Sequence, residues 1–322
     1  MSPPLRRLSS ISTHLQQTCK PHLTTATTTP PKPTRTMSSL SPPPTAAPWR
    51  EPFTTHLASL QPPIFTLATL HPVPHQLSPS ASIPVLPRAR TCVFRGFWGS
   101  LPPNERNPAP LNPPLFTSDL LTFTTDARMA KTSEIFDTAG PDSQTVSGGP
   151  SGGGGPVEAV FWVEETKTQW RVRGRAWVLG PGMDGDGDGA RKVRGVLGER
   201  MRRTGKGEGE WSWEREVTAH FGNLSPVMRG SFGGPEPGAP VDYHQGKKLG
   251  ERLEDLGDGE ARGNFRVVVV VPEEVDRVDL REETRPRRWL YTYRGGEKEK
   301  TGEAKYAGGK VEGEWEVVEL WP

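Results

Sequence analysis

Two neighbouring segments of the chain alternate between apolar and polar residues with a period of two. The first covers residues 157–164 and the second residues 169–179. In the second segment, every other residue from Trp170 is apolar or Gly, whereas the residues that alternate with them from Gln169 to Arg175 are Gln or Arg. Because successive side chains of a strand point to opposite faces, one face is apolar and the other cationic. The pattern predicts a β-hairpin whose cationic face is solvated or paired with acids.

Shorter β-like runs lie on both sides of this hairpin. They are rich in β-branched and aromatic residues and are bounded by Pro, Gly and Asn loops. The predicted strands are residues 64–70, 90–97, 120–125, 264–272, 275–280, 287–293 and 315–320. A late set of strands that follows an early set is consistent with barrel closure. The predicted fold class is therefore mainly β, with peripheral helices.

Three other segments predict the peripheral helices. Residues 49–61 place Phe53 and Leu57 at helical spacing, and helical periodicity returns at residues 211–224. Asp126 stands where a helix N-cap is favoured, directly before the run ARMAKTSEIF. We therefore expect a helix that begins after Asp126.

The ends of the foldable region are set by composition. Residues 1–48 are rich in Ser, Thr and Pro and contain no acidic residue. We expect residues 1–46 to be a disordered tail, the alternatives being a mitochondrial transit peptide or an over-extended start with Met37 as the true first residue. Residues 47–322 are expected to form one domain. Disordered insertions are expected near residues 140–156, 181–210 and 233–262.

Composition and charge exclude several classes of function. The chain has 36 Gly, 35 Pro and a hydrophobic fraction of 33%, so a single core with irregular appendages is favoured over two domains. A net charge of +2 does not favour nucleic-acid binding. Cys19 and Cys92 are too few for a disulfide framework or a Cys-rich metal site. The longest apolar run, residues 267–271, is too short to span a membrane, so we expect a cytoplasmic protein, with mitochondria as the alternative compartment.

Two motifs that imitate ligand sites do not meet the full pattern. The run DGDGDG at residues 184–189 resembles the opening of an EF-hand loop, but position twelve is Gly195 where a bidentate Glu is needed. The Gly-rich tracts lack a strand before them and a helix after them, so they are not dinucleotide cradles. We expect no metal site.

Several cations stand at the ends of the predicted elements. Arg90 and Arg95 flank one strand, and Arg128 and Lys131 lie three apart in the predicted helix, so both can project from one face. The preceding Thr124 and Thr125 add hydroxyl and backbone donors. Arg and Lys bind a phosphate dianion through charge-assisted hydrogen bonds. Since Arg90 and Arg95 are an odd number apart, either a bulge intervenes or only one of them reaches the same ligand.

The order and spacing of these features resemble the pyridoxamine 5'-phosphate oxidase-like FMN-binding family. Together the similar segments span residues 47–322. They are RTCVFR (Arg90 to Arg95), FTTDARMAK (123–131), FWV with QWRVRGRA (161–176), LSPVMRGSF with PEPGAP (224–240), and RRWLY (287–291) with the terminal WEVVELWP (315–322). The resemblance implies an FMN-binding split β-barrel.

The resemblance also implies roles for particular residues. Arg128 and Lys131 would hold the FMN phosphate beside Thr124 and Thr125. Arg90 and Arg95 would approach the phosphate and the ring. Gln169 would bind the isoalloxazine, and Arg288 would complete the ring site. Because split barrels of this family build the site across a two-fold interface, a homodimer is expected.

One departure limits the functional prediction. The oxidases of the family carry an Arg-x-His-Asp-Arg segment that binds the substrate, whereas this chain reads Thr284-Arg-Pro-Arg-Arg288. Pro286 cannot replace the His as a proton donor. FMN binding is thus better supported than vitamin B6 oxidation. The sequence predicts a flavin-dependent oxidoreductase of unassigned substrate, the alternatives being a non-catalytic flavin-binding or flavin-sensing module and an interaction protein with a vacant barrel.

Overall fold

A computed structural model describes residues 45–73, 85–140, 149–242, 246, 249–295 and 304–322. The predicted tail at residues 1–46 lies almost entirely outside them. The helices are α1 (Arg50–Leu57), α2 (Ala130–Asp137), α3 (Asp188–Gly198), α4 (Trp213–Gly222), α5 (Pro226–Ser231) and α6 (Gly259–Asn264). The strands are β1 (Ile64–Pro72), β2 (Val85–Val93), β3 (Phe116–Ser118), β4 (Leu121–Asp126), β5 (Gly152–Val163), β6 (Thr168–Leu179), β7 (Met201–Arg203), β8 (Phe265–Asp279), β9 (Arg287–Tyr293), β10 (Lys310–Glu312) and β11 (Trp315–Leu320).

Nine of these strands form one antiparallel sheet. Its order is β10-β11-β9-β8-β6-β5-β1-β2, with β4 paired to β8 outside this path. β3 and β7 form a separate two-stranded sheet. The mainly β class with peripheral helices is therefore confirmed, and so is the hairpin, in which Phe161 of β5 pairs with Trp170 of β6.

The long strand β8 joins the two parts of the sheet. Its first residues pair with β4, its last residues pair with β9, and β6 runs along almost its whole length. The register shifts between Arg173 and Gly174 of β6, where Glu273 is the extra residue of β8. This bulge explains why residues 264–272 and 275–280 read as two strands in the sequence, although they form one.

The sheet curls so that the end of β2 approaches β4. The amide of Arg95 donates to the carbonyl of Thr122 (2.8 Å), and the amide of Thr122 donates to the carbonyl of Gly96 (2.9 Å). These two backbone hydrogen bonds join the segment after β2 to β4, which the regular ladders do not pair with each other. The arrangement is compatible with a split β-barrel.

Two buried clusters flank the sheet. One is rich in aromatic residues, among them Phe53 of α1, Phe161 and Trp170, whose rings meet edge to face at 5.1–5.4 Å. The predicted helix at residues 49–61 is confirmed as α1, because Phe53 and Leu57 share its buried face. The second cluster contains residues of α3, α4 and the first half of β8.

The start of α2 differs from the prediction. Asp126 is the last residue of β4, and the helix begins at Ala130 after Met129 in an extended conformation. The Asp126 carboxylate instead accepts the amide of Arg128 at 2.8 Å, which closes a turn between strand and helix.

Regular structure also occurs where insertions were expected. Residues 141–148 of the first predicted insertion lie outside the described residues. Gly152 opens β5, so residues 152–155 belong to the sheet, and residues 181–210 contain α3 and β7. Val193 and Leu197 bury one face of α3, which gives that segment a place in the core. The Asp184 carboxylate accepts the amide of Trp213 (2.9 Å) at the start of α4, so the DGDGDG run serves a helix end. No group of residues that could hold a metal, and no helix long and apolar enough to cross a bilayer, occurs in the described part of the chain.

Candidate functional site

A cavity of about 970 Å³ opens between the ends of β2 and β4, the start of α2, and residues 228–241 with Leu249. Its two sides have different chemistry. Arg95, Thr124, Thr125 and Lys131 supply the polar side. The facing side is mainly apolar and contains Met228, Phe232, Pro235, Pro237, Pro240, Val241 and Leu249. The cavity can therefore hold a ligand that has an anionic end and a flat or apolar body.

Of the two cations that line this cavity, Arg95 has fewer polar partners among the described residues. Its Nε is buried without a hydrogen-bond partner, and no carboxylate of the described residues lies within ion-pair distance of its guanidinium. Burial lowers the pKa of Arg95 because a charged group loses hydration there. An anion in the cavity would satisfy this guanidinium.

Lys131 is the second cation at the polar side. It is a buried residue of α2, and its Nζ contacts Thr125 Oγ1 at 3.1 Å and Met129 Sδ at 2.8 Å. Burial lowers the pKa of Lys131, and no carboxylate of the described residues forms an ion pair with it. Two weak neutral partners leave most of the charge of the ammonium group uncompensated.

Arg128 does not line the cavity, although it was predicted beside Lys131. Its Nε and Nη2 donate to the two carboxylate oxygens of Asp126 (2.9 and 2.7 Å). The same guanidinium donates to the carbonyls of Phe232 (3.2 Å) and Gly234 (3.0 Å). Hydrogen bonding to Asp126 raises the pKa of Arg128. Arg128 thus connects the polar side of the cavity to its apolar side.

Arg90 is also occupied elsewhere. Its Nη2 lies 2.6 Å from Glu134 Oε2, and the buried Glu134 carboxylate also accepts a hydrogen bond from Thr69. Of the two arginines that flank the predicted strand, only Arg95 lines the cavity. Arg90 is held by Thr69 and Glu134, whereas Arg95 lies beyond the end of β2 at Val93.

Gln169 and Arg288 lie on another part of the sheet. Gln169 pairs with Val278, which pairs with Arg288, so the three form a row across β6, β8 and β9. Arg288 Nη2 lies 2.6 Å from Asp276 Oδ2, and Arg171 contacts the same carboxylate. Neither Gln169 nor Arg288 lines the cavity of its own chain.

Sequence reasoning did not identify the apolar side of the cavity, although its motif was visible. In the run LSPVMRGSF, Ser225 caps α5 by accepting the amide of Met228 (3.3 Å). The buried Arg229 donates to the carbonyls of Leu224 (2.8 Å) and Leu253 (2.9 Å). Phe232 packs in the core and reaches the cavity. The motif therefore builds one side of the site. Cys92 also lines the cavity, and burial raises the pKa of its thiol.

The fold and the cavity define a mainly antiparallel β domain with a cationic pocket of small-molecule size. Residues 46–180 match the family model for the pyridoxamine 5'-phosphate oxidase, FMN-binding domain. Over these residues the resemblance inferred from the sequence is confirmed. The match includes Arg95, Thr124, Thr125 and Lys131.

Two solved structures are similar to the chain. One is a pyridoxamine 5'-phosphate oxidase-related, FMN binding protein from Nostoc punctiforme, with 22% identity, a TM-score of 0.49, and coverage of 86% of this chain and 100% of the other. The other is PhzG from Burkholderia lata, solved with tetrahydrophenazine-1-carboxylic acid, with 15% identity, a TM-score of 0.35, and coverage of 88% and 98%. No curated protein matched the chain.

Proposed function

We propose that the 970 Å³ cavity binds FMN. The observation that carries this proposal is the pair Arg95 and Lys131, two partly desolvated cations without carboxylate partners among the described residues, at one cavity of an FMN-binding domain family. Uncompensated cations in a cavity are stabilised by an anionic ligand, and the phosphate of FMN carries two negative charges near neutral pH.

The residues present fit such a cofactor. A volume of about 970 Å³ lies within the roughly 300–1,000 Å³ that is typical of small-molecule sites. Arg95 and Lys131 would hold the phosphate, with hydroxyl donors from Thr124 and Thr125. The apolar side around Phe232 and Pro235 would cover the aromatic ring system. Arg128 would act indirectly, by holding this side in place.

Gln169 and Arg288 enter the proposal through a second copy of the chain. They share one face of the sheet and do not line the cavity of their own chain. A homodimer with two-fold symmetry would bring this row to the cavity of the partner, where an amide and a guanidinium can hydrogen-bond the polar edge of the ring.

Within this site the chain would act as an FMN-dependent oxidoreductase of unassigned substrate. FMN, when bound, supplies two-electron transfer. The residues of this chain would bind and orient it and would exclude water with the apolar side. The guanidinium of Arg288 from the partner would favour the anionic reduced ring through its positive charge at the polar edge.

A second candidate is a non-catalytic flavin-binding module. Pro286 stands where the oxidases of the family carry a His, and no His is among the described residues that line the cavity. Asp126 is held by Arg128, so Glu236 is the remaining carboxylate at the lining. A site with few proton donors favours binding over turnover.

Absorption spectra of the purified protein test the first step. A yellow preparation with one FMN per chain is expected. Arg95→Ala and Lys131→Ala should each weaken FMN binding about tenfold or more, because each removes a charge-assisted hydrogen bond of about 1.5–3 kcal/mol. Arg191→Ala, on the exposed face of α3, is the matched control and should bind FMN normally. Equal FMN affinity in all four proteins contradicts the proposed site.

Steady-state assays then separate the two candidates. Oxidation of reduced nicotinamide cofactors or of pyridoxine 5'-phosphate, with release of hydrogen peroxide, would favour the oxidoreductase. Stable FMN binding together with no reduction of the bound flavin by such donors would favour the non-catalytic module.

A further inference from the structure

A second cavity, of about 510 Å³, lies at the far end of β8. It is bounded by the last residues of that strand, the turn 280–286 and the start of β9. Its lining holds four arginines, two carboxylates and the indole of Trp289. This volume lies within the roughly 300–1,000 Å³ of small-molecule sites.

The cavity is on the opposite face of the sheet from the Gln169–Arg288 row. Successive residues of β9 point to opposite faces, so Arg288 turns to Asp276 whereas Arg287 and Trp289 turn the other way. The guanidinium carbons of Arg277 and Arg287 lie 4.6 and 4.4 Å from the Trp289 ring centroid. The indole therefore organises two cations beside this second cavity.

The carboxylates of the cavity do not neutralise all four arginines. Asp279 holds Arg281 through two-point hydrogen bonds (3.0 and 2.6 Å) and also contacts Arg277 at 3.1 Å. Arg287 is paired with Glu319, which lies outside the lining. The side chain of Arg285 has no hydrogen bond or ion pair with the described residues, and the buried Nε of Arg277 lacks a partner.

The arginines at the second cavity lower the pKa values of two neighbouring groups, Asp279 and His56. Burial raises the pKa of Asp279, but hydrogen bonds and charge from Arg281 and Arg277 outweigh it and hold the pKa at about 2. Asp279 is thus ionised at any physiological pH, which fixes Arg281 in place. After burial, the positive charges of Arg277 and Arg281 are the next causes that lower the pKa of His56.

From the geometry we infer that this second cavity binds a small phosphate monoester, with Arg285 and Arg277 as its ligands. A planar guanidinium presents paired donors that match the oxygens of a phosphate group. Arg285 lies in the turn and Arg277 on the strand, and both line this cavity, so a doubly charged oxyanion bound there would be attracted by both. The site is separate from the FMN cavity and does not depend on it.

Titration with inorganic phosphate, at constant ionic strength in chloride buffer, tests the inference. The protein is first saturated with FMN, so that phosphate cannot enter the first cavity. Saturable binding is expected by calorimetry, together with a change in the fluorescence of Trp289 that is missing in Trp289→Phe. Arg285→Ala should weaken phosphate binding about tenfold or more, and Arg285→Lys should weaken it less.

Two further variants serve as controls. Arg191→Ala should bind phosphate like the unaltered protein. The double variant Arg95→Ala with Lys131→Ala, measured without FMN, should keep phosphate binding, which makes the result independent of the FMN proposal. Since Arg285 is exposed, its replacement does not threaten the fold. Absent or non-saturable binding, or equal affinity in Arg285→Ala, overturns the inference.

Discussion

Arg128 holds Asp126 in a two-point ion pair, with Nη2–Oδ2 at 2.7 Å and Nε–Oδ1 at 2.9 Å. The remaining donors of the guanidinium reach the carbonyls of Phe232 and Gly234. One side chain thus spans from the end of β4 to the apolar side of the cavity. Its contribution to cofactor binding would be to position that side.

Replacing Arg128 should therefore make the apolar side of the cavity more mobile. In Arg128→Ala, amide hydrogen exchange across residues 228–240 should become about tenfold faster, because two hydrogen bonds from a charged donor to carbonyls are lost. Lys131→Ala serves as the comparison, since it removes charge from the cavity but leaves these carbonyl contacts. If amide hydrogen exchange in Arg128→Ala matches that of the unaltered protein, Arg128 does not position the apolar side of the cavity.

A buried network around Asp119 should contribute strongly to stability. Asp119 accepts two hydrogen bonds from Arg202 (2.6 and 2.8 Å), one from Arg50 (3.0 Å) and one from the amide of Ala47 (2.9 Å). Asp119→Ala leaves the poorly solvated guanidinium groups of Arg50 and Arg202 without their carboxylate, so the free energy of unfolding should fall by about 3–5 kcal/mol. Urea unfolding measures the change.

The control for this prediction is Asp188→Ala, which removes the exposed partner of Arg191. An exposed pair contributes about 0–1 kcal/mol, so this variant should unfold close to the unaltered protein. A similar loss of stability in both variants would contradict the role of burial at Asp119.

Acid should destabilise the protein through His220. The ring is fully buried, stacks on Trp98 at 5.9 Å between centroids, and has a pKa lowered to about 3 by burial and then by Arg95. Between about pH 6.5 and pH 3 the unfolded chain takes up a proton at this position that the folded chain does not. The free energy of unfolding should thus fall by about 2 kcal/mol from pH 6.5 to pH 5 through this residue alone.

His220→Phe keeps an aromatic ring against Trp98 but cannot titrate. Between pH 6.5 and pH 5, the free energy of unfolding of His220→Phe should fall by about 2 kcal/mol less than that of the unaltered protein. Urea unfolding at each pH measures the difference. Parallel stability profiles for His220→Phe and the unaltered protein would show that His220 titrates normally in the fold.

Gly174 should not tolerate a side chain. At the bulge opposite β8, a Cβ would lie 2.0 Å from the carbonyl oxygen of Val271, and backbone atoms cannot easily give way. Gly174→Ala should lower the free energy of unfolding by about 1–3 kcal/mol or more. Gly195→Ala is the matched control, because nothing lies within 4 Å of its Cβ position inside α3. That variant should be more stable by about 0.5–1 kcal/mol, and an equal effect of both changes would contradict the bulge argument.

The sequence predicts most strands because apolar and polar residues alternate along them with a period of two. The hairpin of β5 and β6, the helix α1 and the positions of Thr125 and Lys131 at one cavity could all be anticipated. The bulge at Gly174 could not, because a shift in register depends on the partner strand. The ion pairs of Arg90 with Glu134 and of Arg128 with Asp126 could not be predicted for a similar reason, since a linear motif does not record which carboxylates compete for a guanidinium group.

The glycine and aspartate runs show a different limit. Gly152 and Asp184 belong to segments whose composition is typical of disorder, yet one opens a strand and the other caps a helix. Composition averages over a window, whereas one buried face, such as Val193 with Leu197 in α3, is enough to order a short segment.

The pairing of β8 also shows that the sheet needs residues outside the segment that matches the family model. The family match ends at residue 180, but β4 and β6 both find their hydrogen-bond partners on a strand that starts at Phe265. An excised fragment of residues 46–180 would carry the family signature with half of those backbone groups unpaired. We therefore do not expect the segment that matches the family model to fold by itself. Any fragment made for study must extend through Asp279, the last residue of β8.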